Sequence, residues 1–232
     1  SKRKMTNNVQ LTGYAQELRK RRLSVGTCEK FKIYREGDTL RFPYFTGDGV
    51  LAGIKVKNKR KIFSYDGIST DTLFGQHLFP STGKRIVITE GELDAASCYE
   101  AMPGWPMVSL PHGAAGAKKD IQKQIPLFQG YQEIVLFFDG DDAGRKAAED
   151  SAGVLPPGKV KIARLESYKD ASDALQAGDS EAIRRAIWDA KVYQPDGIVA
   201  AQDLLEIVTT PEPPCNHEYP FTGLQTKTHG IR

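Results

Sequence analysis

Short apolar runs alternate with stretches of helical periodicity in the second half of the chain. The apolar runs predict strands at 85–89, 107–110, 134–138 and 160–164, and the periodic stretches predict helices over 92–100, 115–124, 143–152 and onward to about residue 193. Strands separated by helices of this length favour a parallel sheet covered on both faces, with right-handed crossovers. The pattern therefore predicts an α/β domain over residues 83–193.

The first third of the chain has a different pattern. Leu11, Tyr14, Ala15 and Leu18 recur at helical spacing, so we expect amphipathic helix within 9–33, with the basic run Arg19-Lys20-Arg21-Arg22 closing the first helix. Apolar runs at 40–44 and 50–54 predict two strands around a Gly-Asp-Gly turn at 47–49. We therefore expect a smaller mixed α+β subdomain over residues 9–82, after a tail or linker remnant at 1–8.

The last segment, residues 194–232, is predicted to be a linker. It contains one apolar stretch, whose part Ala200–Val208 is typical of an amphipathic helix that docks on a neighbouring subunit, and then the cluster Thr-Thr-Pro-Glu-Pro-Pro. Proline at this density is incompatible with helix and indicates extended chain.

Composition excludes several classes of protein. Of the 232 residues 40% are hydrophobic and 26% charged, which is typical of a soluble globular protein, and no apolar run is long enough to predict a membrane span. The N-terminus lacks the apolar region of a secretory signal. Cys28, Cys98 and Cys215 are scattered and form no CxxC pair, so neither a disulfide framework nor a zinc site is predicted, and a reducing cytoplasm is the expected compartment.

Carboxylates follow three of the predicted strands directly or within one loop. Glu90 follows the strand at 85–89, Asp139 and Asp141 follow the strand at 134–138, and Asp170 comes after the strand at 160–164. Ligands of open parallel sheets lie beyond the carboxyl ends of the strands, so these groups are expected to converge at one edge. Each aspartate could instead simply cap the next helix.

Clustered carboxylates suit a hard cation. They repel one another unless a cation neutralises them, and oxygen ligands of this kind favour Mg²⁺ or Mn²⁺ over zinc. Two such ions could stabilise the attacking and leaving oxygens of a phosphoryl transfer. We therefore expect a two-metal site with Mg²⁺ or Mn²⁺.

A basic stretch precedes this acidic domain. Lys55, Lys57, Lys59 and Lys61 stand at alternate positions, so in an extended strand they share one face. Four like charges on one face repel, and phosphates would neutralise them, which favours a phosphate-binding face. The alternative is a solvated edge strand that lysine protects from aggregation.

Other basic residues are weaker candidates. Lys118 and Lys119 could meet template phosphates or form an exposed helical face, and Arg145 with Lys146 could position a triphosphate or pair with nearby carboxylates. We expect His112 to be structural, and the run Arg19-Lys20-Arg21-Arg22 to be a solvated helix end rather than a binding patch.

The acidic motifs also carry a family resemblance. Glu90-Gly91-x-x-Asp94 followed by Phe138-Asp139-x-Asp141-x-Ala143-Gly144 resembles the Toprim signature of primases, topoisomerases and some nucleases. The chain from about Leu11 onward is similar to the primase part of T-odd-phage-type bifunctional primase–helicases and their mitochondrial relative Twinkle. Further matching segments are Leu73–Leu78, Val87–Asp94, Val108–Ala114, Asp139–Lys146, Val154–Val160 and Lys169–Ala171.

The resemblance implies a Toprim fold and a DNA primase, a nucleotidyltransferase that makes short RNA primers on single-stranded DNA in phage replication. Glu90 would be the catalytic acid/base, and Glu90, Asp139, Asp141 and Asp170 would hold the metals, with Asp94, Asp142 and Asp173 as weaker supporting candidates. Lys55 and Lys61 would be further catalytic residues, in contact with the nucleotide and template near the metals. The nucleotide- and DNA-binding set would be Lys55, Lys57, Lys59, Lys61, Lys118, Lys119 and Arg145.

Two parts of that family are not found in these residues, namely the four-cysteine zinc module and a Gly-x-x-x-x-Gly-Lys-[Ser/Thr] loop for a helicase. The expected partners are single-stranded DNA, nucleoside triphosphates, a helicase domain and a replicative DNA polymerase, in the host bacterial cytoplasm, with no membrane and with a monomeric fragment. The alternatives are a Toprim nuclease and a non-catalytic module for DNA binding or helicase assembly.

Overall fold

The structure, a computed structural model, describes residues 10–58, 63–67 and 71–194. For residues 63–67 it describes the backbone only. These residues, up to Tyr193, belong to one compact unit. The segment from 195 onward, with the predicted helix Ala200–Val208, lies outside the described residues. No helix among those described has the length and apolar character needed to cross a membrane.

An antiparallel sheet forms most of the first third of the chain. Its strands run in the order β1 (Tyr14–Ala15), β2 (Tyr34–Glu36), β3 (Thr39–Phe45), β4 (Leu51–Lys57) and β5 (Phe63–Gly67). The predicted strands at 40–44 and 50–54 correspond to β3 and β4. The turn between them closes as expected, because the amide of Gly49 donates to the carbonyl of Thr46 and Gly49 has a φ of +81°.

The helix predicted within 9–33 is largely wrong. Gly13 has a φ of +85° and its neighbours pair with β2, so the chain begins extended. Arg19–Arg21 forms a 3₁₀ turn that ends at Arg22 in the left-handed conformation. The helix here is only α1 (Val25–Phe31), where the side chain of Ser24 accepts from the amide of Thr27.

The basic strand predicted through 55–61 is also wrong in extent. β4 ends at Lys57, and Lys57 pairs with Phe63, the first residue of antiparallel β5. Lys55 and Lys57 therefore lie on β4, while Lys59 and Lys61 lie outside the described residues.

The second sheet is parallel except at one edge. Its strands run in the order β10 (Lys191–Val192), β9 (Val160–Ile162), β8 (Tyr131–Phe137), β6 (Gly83–Thr89) and β7 (Met107–Ser109), and β10 pairs antiparallel to β9. The helices are α2 (Glu92–Ala101), α3 (Gly113–Lys123), α4 (Ile125–Gln129), α5 (Asp142–Ala152), α6 (Ala171–Gln176) and α7 (Ser180–Trp188). The predicted parallel α/β architecture is confirmed.

Alternate residues of the central strands face two separate hydrophobic cores. Val87 of β6 and Val135 of β8 pack with α2, α6, α7 and the N-terminal subdomain, whereas Ile88 and Leu136 pack with α3 and α5 on the opposite face. Both faces are therefore buried, and the strands read as continuous apolar runs in the sequence. The predicted boundary at residues 82 and 83 stays a prediction, since the first core includes residues from both sides of it.

A half-buried imidazole lies beside the end of β3. The ring of His77 packs against the ring of Phe45 at a tilt of 42° with the centroids 4.2 Å apart, and Nε2 is buried without a hydrogen-bond partner. Burial, followed by the charges of Lys32 and Lys30, lowers the pKa of His77 from 6.5 to about 4. The folded chain therefore keeps this imidazole neutral in a pH range where the unfolded chain protonates it.

We expect His77 to make the protein less stable as the pH falls from about 6.5 towards 4. In that window the unfolded state binds a proton that the native state does not, so this contribution to stability is complete above pH 6.5 and lost below. Allowing for partial exposure, we expect about 1 kcal/mol between pH 6.5 and pH 5. Urea unfolding of wild type and His77→Phe at both pH values checks this. An unchanged pH dependence in the variant would contradict it.

Candidate active site

The carboxyl ends of β6 and β8 lie side by side. Thr89 pairs with Phe137 in the parallel register, so Glu90 and Phe138 leave the sheet at the same level, followed by Asp139. The strand β9 continues the edge, since Ile162 pairs with Leu136. The predicted convergence of strand ends is therefore found for Glu90 and the loop that carries Asp139 and Asp141.

The loop after β8 is fixed by close backbone contacts. Gly144 lies against it so tightly that an added Cβ would come within 2.3 Å of the carbonyl oxygen of Asp139. The amide of Gly144 donates to Oδ1 of Asp141 at 2.9 Å, which makes Asp141 the N-cap of α5. The amide of Gly140 donates to the carbonyl of Lys169 at 2.7 Å and ties this loop to the segment before α6.

Glu90 has an unusual environment. Its Oε2 is buried and has no hydrogen-bond partner. Burial and the neighbouring charge of Asp139 raise the pKa of Glu90, while the backbone amides of Ala114 and Asp139 favour the charged form to a smaller degree. A buried carboxylate oxygen without a partner is costly, so this atom is a candidate for contact with a cation or a substrate proton.

The aspartates of the β8 loop have opposite pKa shifts. Burial raises the pKa of Asp139, with Lys169 opposing this and Asp170 adding to it. The pKa of Asp141 is lowered, first by the amide of Gly144 and then by Lys169. The difference arises because Asp139 is the more buried of the two, whereas Asp141 is half-exposed at the start of its helix.

Lys169 lies between these two carboxylates. Its Nζ is 3.1 Å from Oδ2 of Asp139 and 3.5 Å from Oδ2 of Asp141, and the hydrogen bond with Asp139 is the main cause that raises the pKa of Lys169. Sequence reasoning missed this residue. The only available signal was its position next to Asp170, which does not reveal the direction of a side chain.

The remaining predicted carboxylates have structural roles. Asp170 is the N-cap of α6, where Oδ1 accepts from the amide of Asp173 at 2.7 Å. Asp94 accepts from the amide of Ser172 at 2.9 Å and joins α2 to α6, and burial with the charge of Asp170 raises its pKa. Asp142 is fully exposed and pairs with Arg145. The capping alternative therefore holds for Asp141 and Asp170 without excluding a second role.

Oxygen ligands are present at this edge, but they are not gathered around one point. Among the described residues, no three His, Cys, Asp or Glu side chains lie close enough together to hold an ion. The donor chemistry nevertheless fits a hard cation, because an orphaned oxygen of Glu90 and two carboxylates already facing a positive charge supply only oxygen.

The predicted basic residues are dispersed. Lys55 is buried, with Nζ 2.6 Å from Oε1 of Glu92 and 3.1 Å from the carbonyl of Pro111. Tyr44 donates to the same oxygen of Glu92 at 2.6 Å. This network joins β3 and β4 to the start of α2. The sequence alone did not single out Glu92 as a partner of Lys55.

The other basic candidates lie on or near helices. Lys118 and Lys119 are exposed in the middle of α3, so they form an exposed helical face. Arg145 pairs with Asp142 and donates to the carbonyl of Gly140, and Lys146 lies 3.2 Å from Asp150. In the structure Arg145 and Lys146 therefore pair with nearby carboxylates, which is one of the two alternatives considered for them.

Two further predictions concern histidine and the N-terminal arginines. His112 precedes α3, and its Nδ1 lies 2.9 Å from the buried carboxylate of Asp120, in keeping with a structural role. Arg21 donates to the hydroxyl of Ser172 at 3.1 Å, so this arginine packs on α6 and is not part of a solvated helix end.

Comparison with known proteins identifies the family. A Toprim-like family model matches residues 87–175. The crystal structure of the primase fragment of the bacteriophage T7 primase-helicase protein superposes with a TM-score of 0.71 at 38% identity, covering 75% of this chain and 74% of that one. The chain belongs to the phage primase–helicase family. The predicted family and the Toprim fold are confirmed.

Other relatives agree with this placement. The DNA helicase/primase of Enterobacteria phage T3 is 39% identical over 84% of this chain, and a Twinkle homologue of Arabidopsis thaliana is 27% identical over 80% of it. The matches cover 35% and 29% of those two proteins, so the chain spans about a third of their length.

One of the similar structures contains nucleic acid and a partner. It is the bacteriophage T7 lagging-strand DNA polymerase interacting with primase domains bound to an RNA/DNA hybrid and dTTP. The TM-score is 0.72 at 37% identity, and the match covers 78% of this chain and 93% of that one.

Proposed function

We propose that this chain is the catalytic core of a DNA primase, which joins ribonucleoside triphosphates into short RNA primers on single-stranded DNA. The observation that carries the proposal is the acidic edge of the parallel sheet, where Glu90, Asp139 and Asp141 follow two neighbouring strands in a chain of the phage primase–helicase family. A 3′-hydroxyl would attack the α-phosphate of the next nucleotide in line, and pyrophosphate would leave.

Divalent metal ions, Mg²⁺ or Mn²⁺ and two in number, are part of this proposal. Glu90, Asp139 and Asp141 would hold them, with Asp170 as a fourth ligand if it leaves the cap of α6. Bound ions would neutralise the phosphate charge that develops during transfer. The chain itself would supply the fixed loops that keep these carboxylates in position, which is where most of the rate would come from.

Glu90 is the proposed proton acceptor or metal ligand of this site. Its buried and unpartnered Oε2 supports either role, since a raised pKa makes a carboxylate a better proton acceptor near neutral pH. Lys57, Lys118 and Lys119 remain candidates for template phosphates, together with Lys59 and Lys61 outside the described residues. Arg145 also stays a candidate, provided that it leaves Asp142.

Lys55 is a different case within the proposed binding set. It is buried and ion-paired with Glu92, so a nucleotide contact would require the lysine to be shared between Glu92 and a phosphate. Its proposed role is therefore to place β4 against the parallel sheet, with any phosphate contact secondary to that.

The proposed partners follow from the family. They are a single-stranded DNA template, nucleoside triphosphates, a helicase domain and a replicative DNA polymerase, in the cytoplasm of the bacterial host. The T7 complex of polymerase with primase domains on an RNA/DNA hybrid supports the first and last of these. We propose that the isolated chain is monomeric, which light scattering would test.

The decisive experiment is primer synthesis from labelled ribonucleotides on a mixed-sequence single-stranded template with Mg²⁺ or Mn²⁺. A parallel reaction supplies a diribonucleotide complementary to the template, so that extension is measured separately from initiation. We expect labelled oligoribonucleotides that depend on template and metal. Cleavage of a labelled template without nucleotide joining would support the nuclease alternative, and template binding without either reaction would support the non-catalytic module.

A further inference from the structure

Lys169 faces the carboxylates of the β8 loop from a neighbouring loop. Its ammonium lies 3.1 Å from Oδ2 of Asp139 and 3.5 Å from Oδ2 of Asp141, while the other oxygen of Asp141 accepts from the amide of Gly144. The lysine therefore contacts the oxygen of Asp141 that does not cap helix α5, together with one oxygen of Asp139. The proposed nucleotidyl transfer assigns no role to this residue.

The backbone holds this arrangement in place. The amide of Gly140 donates to the carbonyl of Lys169 at 2.7 Å, and an added Cβ at Gly140 would lie 3.3 Å from that carbonyl oxygen. The main chain of Lys169 is thus fixed against the loop that carries both aspartates. Its side chain is 55% exposed, so the ammonium can move into solvent.

An ammonium and a divalent ion cannot occupy this position together. A Mg²⁺ ion binds oxygen at about 2.0–2.1 Å, well inside the present distances from the lysine to the two carboxylates. An ammonium that remained beside the ion would meet a repulsion that grows as the distance falls. The lysine would therefore have to leave before an ion could bind the oxygens of Asp139 and Asp141.

We propose that Lys169 is a positioning residue of the metal site, whose ammonium holds Asp139 and Asp141 together in the absence of an ion and is displaced when an ion binds. The inference rests on the proposed function, since it assumes that these carboxylates are metal ligands. It predicts that the lysine competes with the ion. Replacing it by a neutral residue removes the competition and the repulsion together.

The expected effect is on metal affinity. Breaking a half-exposed contact with the lysine costs each ion on the order of 1 kcal/mol, which corresponds to a several-fold change in affinity. Lys169→Gln is therefore expected to bind Mn²⁺ about 3- to 10-fold more tightly than wild type. A lysine with a merely structural role would leave the metal affinity unchanged when it is replaced.

The test is a titration with Mn²⁺, in which the free ion is measured by electron paramagnetic resonance. Five proteins are compared, namely wild type, Lys169→Gln, Lys169→Arg, Asp139→Asn and the charge-matched control Lys146→Gln, whose lysine pairs with Asp150 within helix α5. We expect tighter binding in Lys169→Gln, no change beyond about 1.5-fold in Lys146→Gln, and weaker binding in Asp139→Asn. Lys169→Arg, which keeps the charge, is expected to bind no more tightly than wild type.

The outcomes separate the two proposals. If Asp139→Asn weakens binding while Lys169→Gln matches Lys146→Gln or binds more weakly, the role of Lys169 is overturned and the metal site stands. If wild type binds no Mn²⁺, or binds it as Asp139→Asn does, both the metal site and the displacement of Lys169 are refuted. Circular dichroism of each variant establishes that it is folded.

Discussion

Asp139→Asn is expected to reduce primer synthesis by at least about 100-fold, because removing one preorganised charge from a site that stabilises developing charge has an effect of that order. Asp139 stands at the centre of the acidic edge, next to Glu90 across paired strand ends and 3.1 Å from Lys169. The asparagine has nearly the same shape, so the loop tied to Gly144 should keep its conformation. Incorporation of labelled ribonucleotides on single-stranded DNA measures the effect.

A matched control is available at Asp142, the first residue of helix α5. Asp142→Asn removes the same charge three positions along from Asp139, but its carboxylate is fully exposed and faces Arg145. We expect this variant to retain activity within about two-fold. Primer synthesis by Glu90→Gln should fall to the same degree as that by Asp139→Asn. Near-normal synthesis by both Glu90→Gln and Asp139→Asn would refute the assignment of the acidic edge as the catalytic site.

Lys55→Met is expected to destabilise the fold by about 3–5 kcal/mol, because it leaves the carboxylate of Glu92 buried without its counter-ion. Glu92 is 4% exposed and Lys55 is 9% exposed, and their charged atoms are 2.6 Å apart. Tyr44 can still donate to Glu92, but a single neutral hydrogen bond does not replace the charge. Urea unfolding at neutral pH measures the loss.

The double variant Lys55→Met with Glu92→Leu sharpens this prediction. Replacing both members of a buried ion pair with apolar residues is often close to neutral, so the double variant should recover most of the stability that Lys55→Met loses. The exposed pair of Lys146 and Asp150 provides a control, since Lys146→Met should cost less than about 1 kcal/mol. A loss below about 1 kcal/mol in Lys55→Met would mean that the lysine is free to serve a ligand instead.

The parallel part of the fold could be predicted well because its signals are local. The strands at 85–89 and 134–138 contribute apolar residues to the cores on both faces, and two of the helices carry their own caps, Asp141 for α5 and Asp170 for α6. A strand buried on both faces can only lie inside a covered sheet, so each segment indicated its own environment. The family resemblance pointed to the same architecture.

The N-terminal subdomain was harder to predict from sequence, because its buried apolar residues belong to several short elements that pack into one core. Leu18 and Leu23 are both buried, yet they face each other across an isolated bridge around a 3₁₀ turn. Helical spacing of apolar residues can arise from such a turn as easily as from a helix. The left-handed conformations at Arg22 and Lys32 end the 3₁₀ turn and α1, so they interrupt the segment.

The sequence by itself determined the alternation of strands and helices, the placement of Glu90, Asp139 and Asp141 after strands, and membership in a primase family. Only the tertiary structure decided where charged side chains point. Lys55 faces Glu92, 37 positions away, and Lys169 faces Asp139, 30 positions away. The physical reason is that local sequence sets backbone conformation, whereas the partner of a long charged side chain depends on which distant segments the packed sheets bring within a few ångströms.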